Sequence, residues 1–148
     1  MNLTKNNGKV YLDFISMSEE DMFNYLPLFG SFAVIKCEGK YLLCFNVWRE
    51  QWELPAGRRE GDESPKECAI RELFEETGQM VSDLDFKGLL KFQKVNSGEV
   101  GYNPVYFAEV EWLQPFIDNQ ETSEIRLWDL KEEIGYIDEV DIRVLEYI

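Results

Sequence analysis

The alternation of apolar and polar residues changes period several times along the chain. Lys9–Ile15, "KVYLDFI", is rich in β-forming residues and reads as a strand. Ser18 opens "SEED", a weak capping pattern that predicts a short helix or turn over Glu19–Tyr25. Two apolar runs, "SFAVIKC" and "KYLLCFNV", flank Glu38-Gly39 and predict a β-hairpin around a two-residue turn. "WREQWELPAGRREGDES" follows, and its Pro, Gly and charges read as a loop. A helix comes next, with Ser64 as N-cap, Pro65 at the first helical position, Glu67 completing a capping box and Gly78 as the stop. Leu84, Phe86, Leu90 and Phe92 then alternate on one side of an extended strand, interrupted at Gly88, which reads as a bulge position. After the turn "NSGE" come a strand over Val105–Trp112 and a last short strand in "IRLWDL". "IDEVDIRVLEYI" predicts a C-terminal helix, with Ile137, Val140, Val144 and Ile148 spaced by three and four. No repeat, low-complexity tract or linker breaks the pattern. Strands with separated helices predict one α/β domain over residues 1–148, built on a mixed sheet.

Charge and composition narrow the chemistry. Fifteen basic and 29 acidic side chains give a net charge of −14, a poor basis for broad nucleic-acid binding. That field also repels a free polyphosphate unless cations intervene. No apolar stretch approaches the ~20 residues of a membrane span. "MNLTKNNGKVYLDF" lacks a signal peptide's apolar core, so the expected location is the cytoplasm. There is no histidine, which removes imidazole nucleophile relays and imidazole metal sites. Cys37, Cys44 and Cys68 show no pairing logic and read as reduced thiols. Carboxylates, lysines, tyrosines and bound ions are what remains.

"RELFEETG", Arg71–Gly78, then draws attention. With Glu72 at zero on a helical wheel of about 100° per residue, Glu76 lies near about +40°, Glu75 near about −60° and Arg71 at about −100°. Ala69, Ile70 and Leu73 fill the neighbouring arc and can be buried. A solvated acidic face is one reading. It fits poorly with like charges near a helix C-terminus, where the macrodipole also disfavours them. A hard divalent cation is the other, because such ions take oxygen ligands and leave positions for water and phosphate. Cys68 borders the same arc and reads as a small buried residue.

The surrounding residues, "GRREGDESPKECAIRELFEETGQ", resemble the signature of the Nudix hydrolases, G-x5-E-x7-R-E-U-x-E-E-x-G-U with U a bulky apolar residue. Gly57, Glu63, Arg71, Glu72, Leu73, Glu75, Glu76 and Gly78 match in type and spacing; Gln79 stands where an apolar residue is usual. "WELPAG" looks like the family's lead-in, and "ETSEIRLWDL" like its last strand with the acidic loop before it. The resemblance implies an α/β/α sandwich around a central mixed β-sheet. It also implies Mg²⁺-dependent hydrolysis (Mn²⁺ a possible substitute) of a diphosphate linkage in a nucleoside diphosphate linked to another group.

By the same resemblance, Glu75 and Glu76 would be metal ligands, and a backbone carbonyl at Ala56 or Gly57 would complete the shell. Glu72 would be a ligand or the base that activates water, and Glu63 with Arg71 a supporting ion pair. In other members an acid on a later loop is the base, and Glu121 and Glu124 in "DNQETSE" are placed for that; both are equally readable as ordinary loop polars. Arg58 and Arg59 either contact phosphates or offset the acidic surface. Phe45, Trp48, Trp52 and Tyr106 are candidates to stack on a base, although the core is the ordinary place for such rings. "PAG" is similar to sugar-nucleotide hydrolases, but the proline those enzymes carry downstream is absent from "FQKVN". The expected partner is a nucleotide-type small molecule, with no membrane, and the chain is a monomer or homodimer. Two other readings stand beside hydrolysis: a Nudix-fold domain that senses a nucleotide without cleaving it, and an acidic α/β domain without a ligand.

Overall fold

The computed structural model describes the backbone of Lys5–Asn6 and all of residues 8–148. Among these, the strands are β1 (Lys5–Asn6), β2 (Lys9–Ile15), β3 (Gly30–Cys37), β4 (Lys40–Asn46), β5 (Gln51–Glu53), β6 (Ala56–Arg58), β7 (Asp85–Lys94), β8 (Val100–Val110) and β9 (Thr122–Trp128). The helices are α1 (Pro65–Thr77) and α2 (Glu139–Leu145), with a 3-10 turn over Glu19–Asn24. All nine strands join one sheet in the order β1-β2-β7-β8-β3-β4-β5, with β6 beside β3 and β9 beside β4. β3 and β8 run parallel and the other pairs antiparallel, so the sheet is mixed as expected.

The hairpin forms around Glu38-Gly39, but its strands soon part. β3 and β4 pair only at Lys36↔Tyr41 and Cys37↔Lys40. Beyond that they diverge, and the segment expected to be a loop fills the gap. Phe32 pairs with Ala56, Cys44 pairs with Glu53, and Ala33 N–H donates to the Pro55 carbonyl at 2.9 Å. The loop expectation is thus corrected for β5 and β6. Diverging buried strands expose backbone donors and acceptors that need partners, and this charged segment supplies them.

α1 forms as its sequence predicts. Ser64 Oγ accepts from Glu67 N–H at 3.1 Å, and Glu67 Oε1 accepts from Ser64 N–H at 2.8 Å. Such a cap is worth about 1 kcal/mol. Gly78 ends the helix, its N–H donating to the Phe74 carbonyl at 2.8 Å. Ala69 and Leu73 bury against Ala33, Ile35, Leu42 and Tyr106 on one face of the sheet. On the other face, Val140, Val144 and Leu145 of α2 pack with Phe32, Val34, Trp52 and Val105. The layers are α/β/α.

Two expectations change. Leu84, Phe86, Leu90 and Phe92 do not share one face. Leu84 and Phe86 pack on the α1 side, whereas Leu90 belongs to the α2-side core. The register slips between Phe86 and Gly88, and one extra residue reverses the parity of all that follow. Gly88 has φ 153°, and a Cβ there would strike the Ile15 carbonyl oxygen. The C-terminal helix is also shorter than its apolar spacing suggests. Asp138 caps it, Oδ1 accepting from Val140 N–H at 2.9 Å and Asp141 N–H at 3.1 Å, so Ile137 lies before the helix and bridges to Trp52 instead. No helix of the described residues is long and apolar enough to cross a membrane.

Candidate active site

The divergence of β3 and β4 lets α1 act through the sheet. Its acids emerge beside β6 into a cavity of about 510 Å³ that lies on the α2 face. Gly57 makes this passage possible. A Cβ at that position would lie inside 3.0 Å of the Glu72 carboxylate carbon and of both its oxygens. A larger residue here would push the Glu72 carboxylate aside, so the glycine leaves that carboxylate its place. Directly alongside, Glu76 Oε1 accepts from Ala56 N–H at 3.3 Å.

Arg71 organises the rim. Its Nε donates to Glu63 Oε2 at 2.6 Å and its Nη2 to Glu63 Oε1 at 3.0 Å. Nη1 donates to Glu72 Oε1 at 2.7 Å and to both Glu75 oxygens at 3.2 Å, and Nη2 reaches the Arg58 carbonyl at 2.7 Å. The forked guanidinium thus ties the loop at Glu63 to the helix and to the strand that carries Gly57. It is held charged, chiefly by Glu63, whose own carboxyl is pulled below its ordinary range by the same hydrogen bonds.

Among the described residues, no basic side chain lies within ion-pair distance of Glu76. It is 5% exposed, and burial, its hydrogen bond to Glu72 and the charge of Glu121 push its carboxyl well above the usual range. Cys44, also buried, stays a thiol and lies 3.6 Å from Glu76 Oε1 as a weak donor. The donor set fits a hard divalent cation: it offers only oxygens, it gathers more negative charge than its own side chains neutralise, and it lacks imidazole. The Gly57 carbonyl accepts from Cys68 Sγ at 3.3 Å on the strand that faces the helix acids. Glu72 and Glu75 point to Arg71, and among the described residues no three acidic or thiol side chains are gathered in metal-holding geometry.

The two loop acids separate. Glu121 lines the cavity with Glu72 and Glu76; Glu124 does not, and is exposed on β9. Asn119 places Glu121: its Oδ1 accepts from Glu121 N–H at 3.0 Å and Thr122 N–H at 2.8 Å, while its Nδ2 donates to the Glu76 carbonyl at 3.3 Å. Asn46 Nδ2 then holds the Glu121 carboxylate at 3.2 Å. Burial raises the Glu121 carboxyl, opposed by Arg49.

Of the residues singled out as base-stacking candidates, Phe45 and Trp52 are corrected. They pack edge-to-face with centroids 5.3 Å apart, and neither lines the cavity. Trp52 sits in the core because its indole N–H reaches the Ile134 carbonyl at 2.9 Å. Tyr106 is buried under α1, and Trp48 is exposed outside the cavity. Arg58 does line it. The aromatic wall is instead Phe29, Phe32 and Phe92.

Sequence reading missed Arg49 and Glu53. Arg49 Nε and Nη2 clamp Glu53 at 2.6 and 2.9 Å, at the cavity edge facing Glu121. The signal was present as Arg-x-x-x-Glu within "WREQWE". Asp138 and Asp141 are also on the cavity wall, and the apolar spacing of "IDEVDIRVLEYI" carries no signal for them. Asp141 Oδ2 accepts from Leu54 N–H at 2.8 Å, and burial with the neighbouring Asp138 raises its carboxyl well above the usual range.

Comparison with known proteins agrees with this geometry. The NUDIX domain family model matches residues 27–147. A MutT-like protein of Streptomyces ambofaciens is 30% identical over 116 residues, covering 70% of this chain and 75% of that one. The putative 8-oxo-dGTP diphosphatase YtkD of Bacillus subtilis is 33% identical over 90 residues, 61% of this chain, and the match spans only 55% of its length. Among solved structures, the Bacillus subtilis pyrophosphohydrolase BsRppH superposes with a TM-score of 0.70 at 22% identity, covering 99% of this chain and 92% of that one.

Proposed function

The chain belongs to the Nudix family, and on that premise we propose that it is a Mg²⁺-dependent pyrophosphohydrolase. The reaction is attack of water on phosphorus in the diphosphate linkage of a nucleoside diphosphate joined to another group. The observation that carries the reading is the buried Glu76 carboxylate beside Glu72 and Glu121, with Gly57 cut back to let the helix acids through.

Magnesium, when bound, neutralises phosphate charge and lowers the pKa of the attacking water. Glu76, Glu72 and the Gly57 carbonyl would hold it, with the more exposed Glu75 as a further oxygen donor. Arg71, clamped by Glu63, fixes the rotamers of Glu72 and Glu75 before substrate arrives. Glu121 is the better placed base. Its raised carboxyl has proton affinity closer to the working pH than an ordinary glutamate, and Asn46 and Asn119 hold it at the cavity. Arg49, fixed by Glu53 and 3.9 Å from Glu121, would meet a phosphate oxygen beside that base.

The 8-oxo-dGTP diphosphatase name of one relative puts nucleoside triphosphates first in a substrate panel, followed by nucleotide sugars and capped RNA ends. The test combines turnover and metal binding. We expect EDTA to abolish turnover, Glu76→Gln to remove the Mg²⁺-induced thermal shift, and Glu121→Gln to lower kcat by about 10²–10⁴-fold. Full activity in Glu76→Gln would sink the metal assignment. Tight nucleotide binding with no turnover across the panel would favour a sensing domain.

A further inference from the structure

One carboxylate at the cavity edge is fully occupied by the protein itself. Glu53 lies on β5 with its side chain only 11% exposed. Its Oε2 accepts from Arg49 Nε and from Gln51 Nε2, both at 2.6 Å. Its Oε1 accepts from Arg49 Nη2 at 2.9 Å and from Asn46 Nδ2 at 3.3 Å. These bonds use the acceptor positions that two carboxylate oxygens offer, so Glu53 has little left for a ligand. Each donor also serves another wall of the cavity. Asn46 Nδ2 is shared with Glu121 Oε2 at 3.2 Å, and Gln51 Nε2 with Asp138 Oδ2 at 3.0 Å. Arg49 Nη2 lies 3.9 Å from that same Glu121 oxygen, beyond hydrogen-bond distance.

Arg49 therefore stands between two carboxylates, and the backbone fixes how far apart they are. Asn46 Oδ1 accepts from Trp48 N–H and Arg49 N–H, both at 2.9 Å, and so sets the turn that carries Arg49. Val47 N–H donates to the Glu121 carbonyl at 2.9 Å and ties that turn to the loop of the base. Only the Arg49 side chain has to move for the 3.9 Å gap to close to a charge-assisted hydrogen bond of about 2.8 Å. A guanidinium seated there would cover the oxygens that accept the proton of water, and it would be lost to the phosphate.

We propose that Glu53 is a positioning residue that holds Arg49 off Glu121 and so keeps the base free. Glu53 wins the competition because it offers both oxygens to the fork of Nε and Nη2 and is the more buried of the two acids. The inference rests on the hydrolase reading above, in which Glu121 is the base.

The test is a double-mutant cycle on the best nucleotide of the panel, with Mg²⁺. Glu53→Gln keeps the shape of the side chain and removes its charge, and we expect kcat to fall by about 10–100-fold as Arg49 moves to Glu121. In an Arg49→Gln background the same substitution should change kcat by less than about twofold, because no guanidinium is left to seat on the base. Glu53→Asp keeps the charge that holds Arg49 and should retain most of the wild-type kcat. An unchanged kcat in Glu53→Gln, an equal loss in the Arg49→Gln background, or an equal loss in Glu53→Asp overturns the proposal. Crystal structures of the wild type and of Glu53→Gln give a readout without turnover. Arg49 should bond Glu53 in the first and Glu121 in the second; an Arg49 that stays away from Glu121 in the variant also overturns the proposal. A wild-type protein that turns over no nucleotide refutes the hydrolase reading, while those two structures still decide what holds Arg49.

Discussion

Gly57→Ala tests whether the path from α1 to the cavity is as tight as the structure shows. The added methyl carbon would fall within 3.0 Å of three atoms of the Glu72 carboxylate, whereas ordinary contacts begin at 3.4 Å. The carboxylate must withdraw by about 1 Å, and displacements of that size at a reacting centre can cost about 10²-fold in rate. That is close to 2.8 kcal/mol of transition-state stabilisation. Global stability should fall less, because the strain can be released by turning Glu72 away from Arg71. The assay is kcat/KM on the best nucleotide of the panel, with thermal unfolding alongside. Glu72→Asp, one methylene shorter, should recover part of the loss when added to Gly57→Ala while being harmful alone. Activity of Gly57→Ala within threefold of wild type would refute the close-approach argument.

The remaining predictions concern metal, pH and packing. Glu76 is pushed to hold its proton above the usual carboxylate range, and cation binding must displace that proton, so the Mg²⁺-induced rise in Tm should grow as pH rises from acid to neutral; a flat profile would contradict the raised carboxyl. Asp141 is raised in the folded state, so its stabilising proton uptake is full below the unfolded value of about 3.9 and fades as pH rises above it. Asp141→Asn keeps an acceptor for Leu54 N–H and should flatten that decline in urea melts at pH 5 and pH 8. Gln79→Leu restores the apolar residue usual at that position, yet should destabilise by about 1–3 kcal/mol, because Gln79 bonds both the N–H and the carbonyl of Gln114, at 2.7 and 2.8 Å. Denaturant titration reads that cost directly.

Local pattern and motif determined much by themselves. The capping box and Gly78 bounded α1 because caps are satisfied within a few residues of chain. The hairpin at Glu38-Gly39 and the spacing from Gly57 to Gly78 are likewise local, and they carried the family and its α/β/α layering. Tertiary structure decided what depends on distant segments. Only the splaying of β3 and β4 turned an apparent loop into β5 and β6. Gly88 marked a bulge in the sequence, but only its pairing with β8 showed that the bulge reverses the parity of Leu90 and Phe92. Sequence proximity could not distinguish Glu121 from Glu124; Asn119 and Asn46 do, by fixing one of them against α1. Trp52 and Phe45 were chemically suitable for a base but were claimed by the core, which favours large rings. The opposite wall, with Lys9, Arg58, Lys94 and Phe29, comes from four separate stretches of chain. No spacing rule joins them, because the sheet alone brings them together.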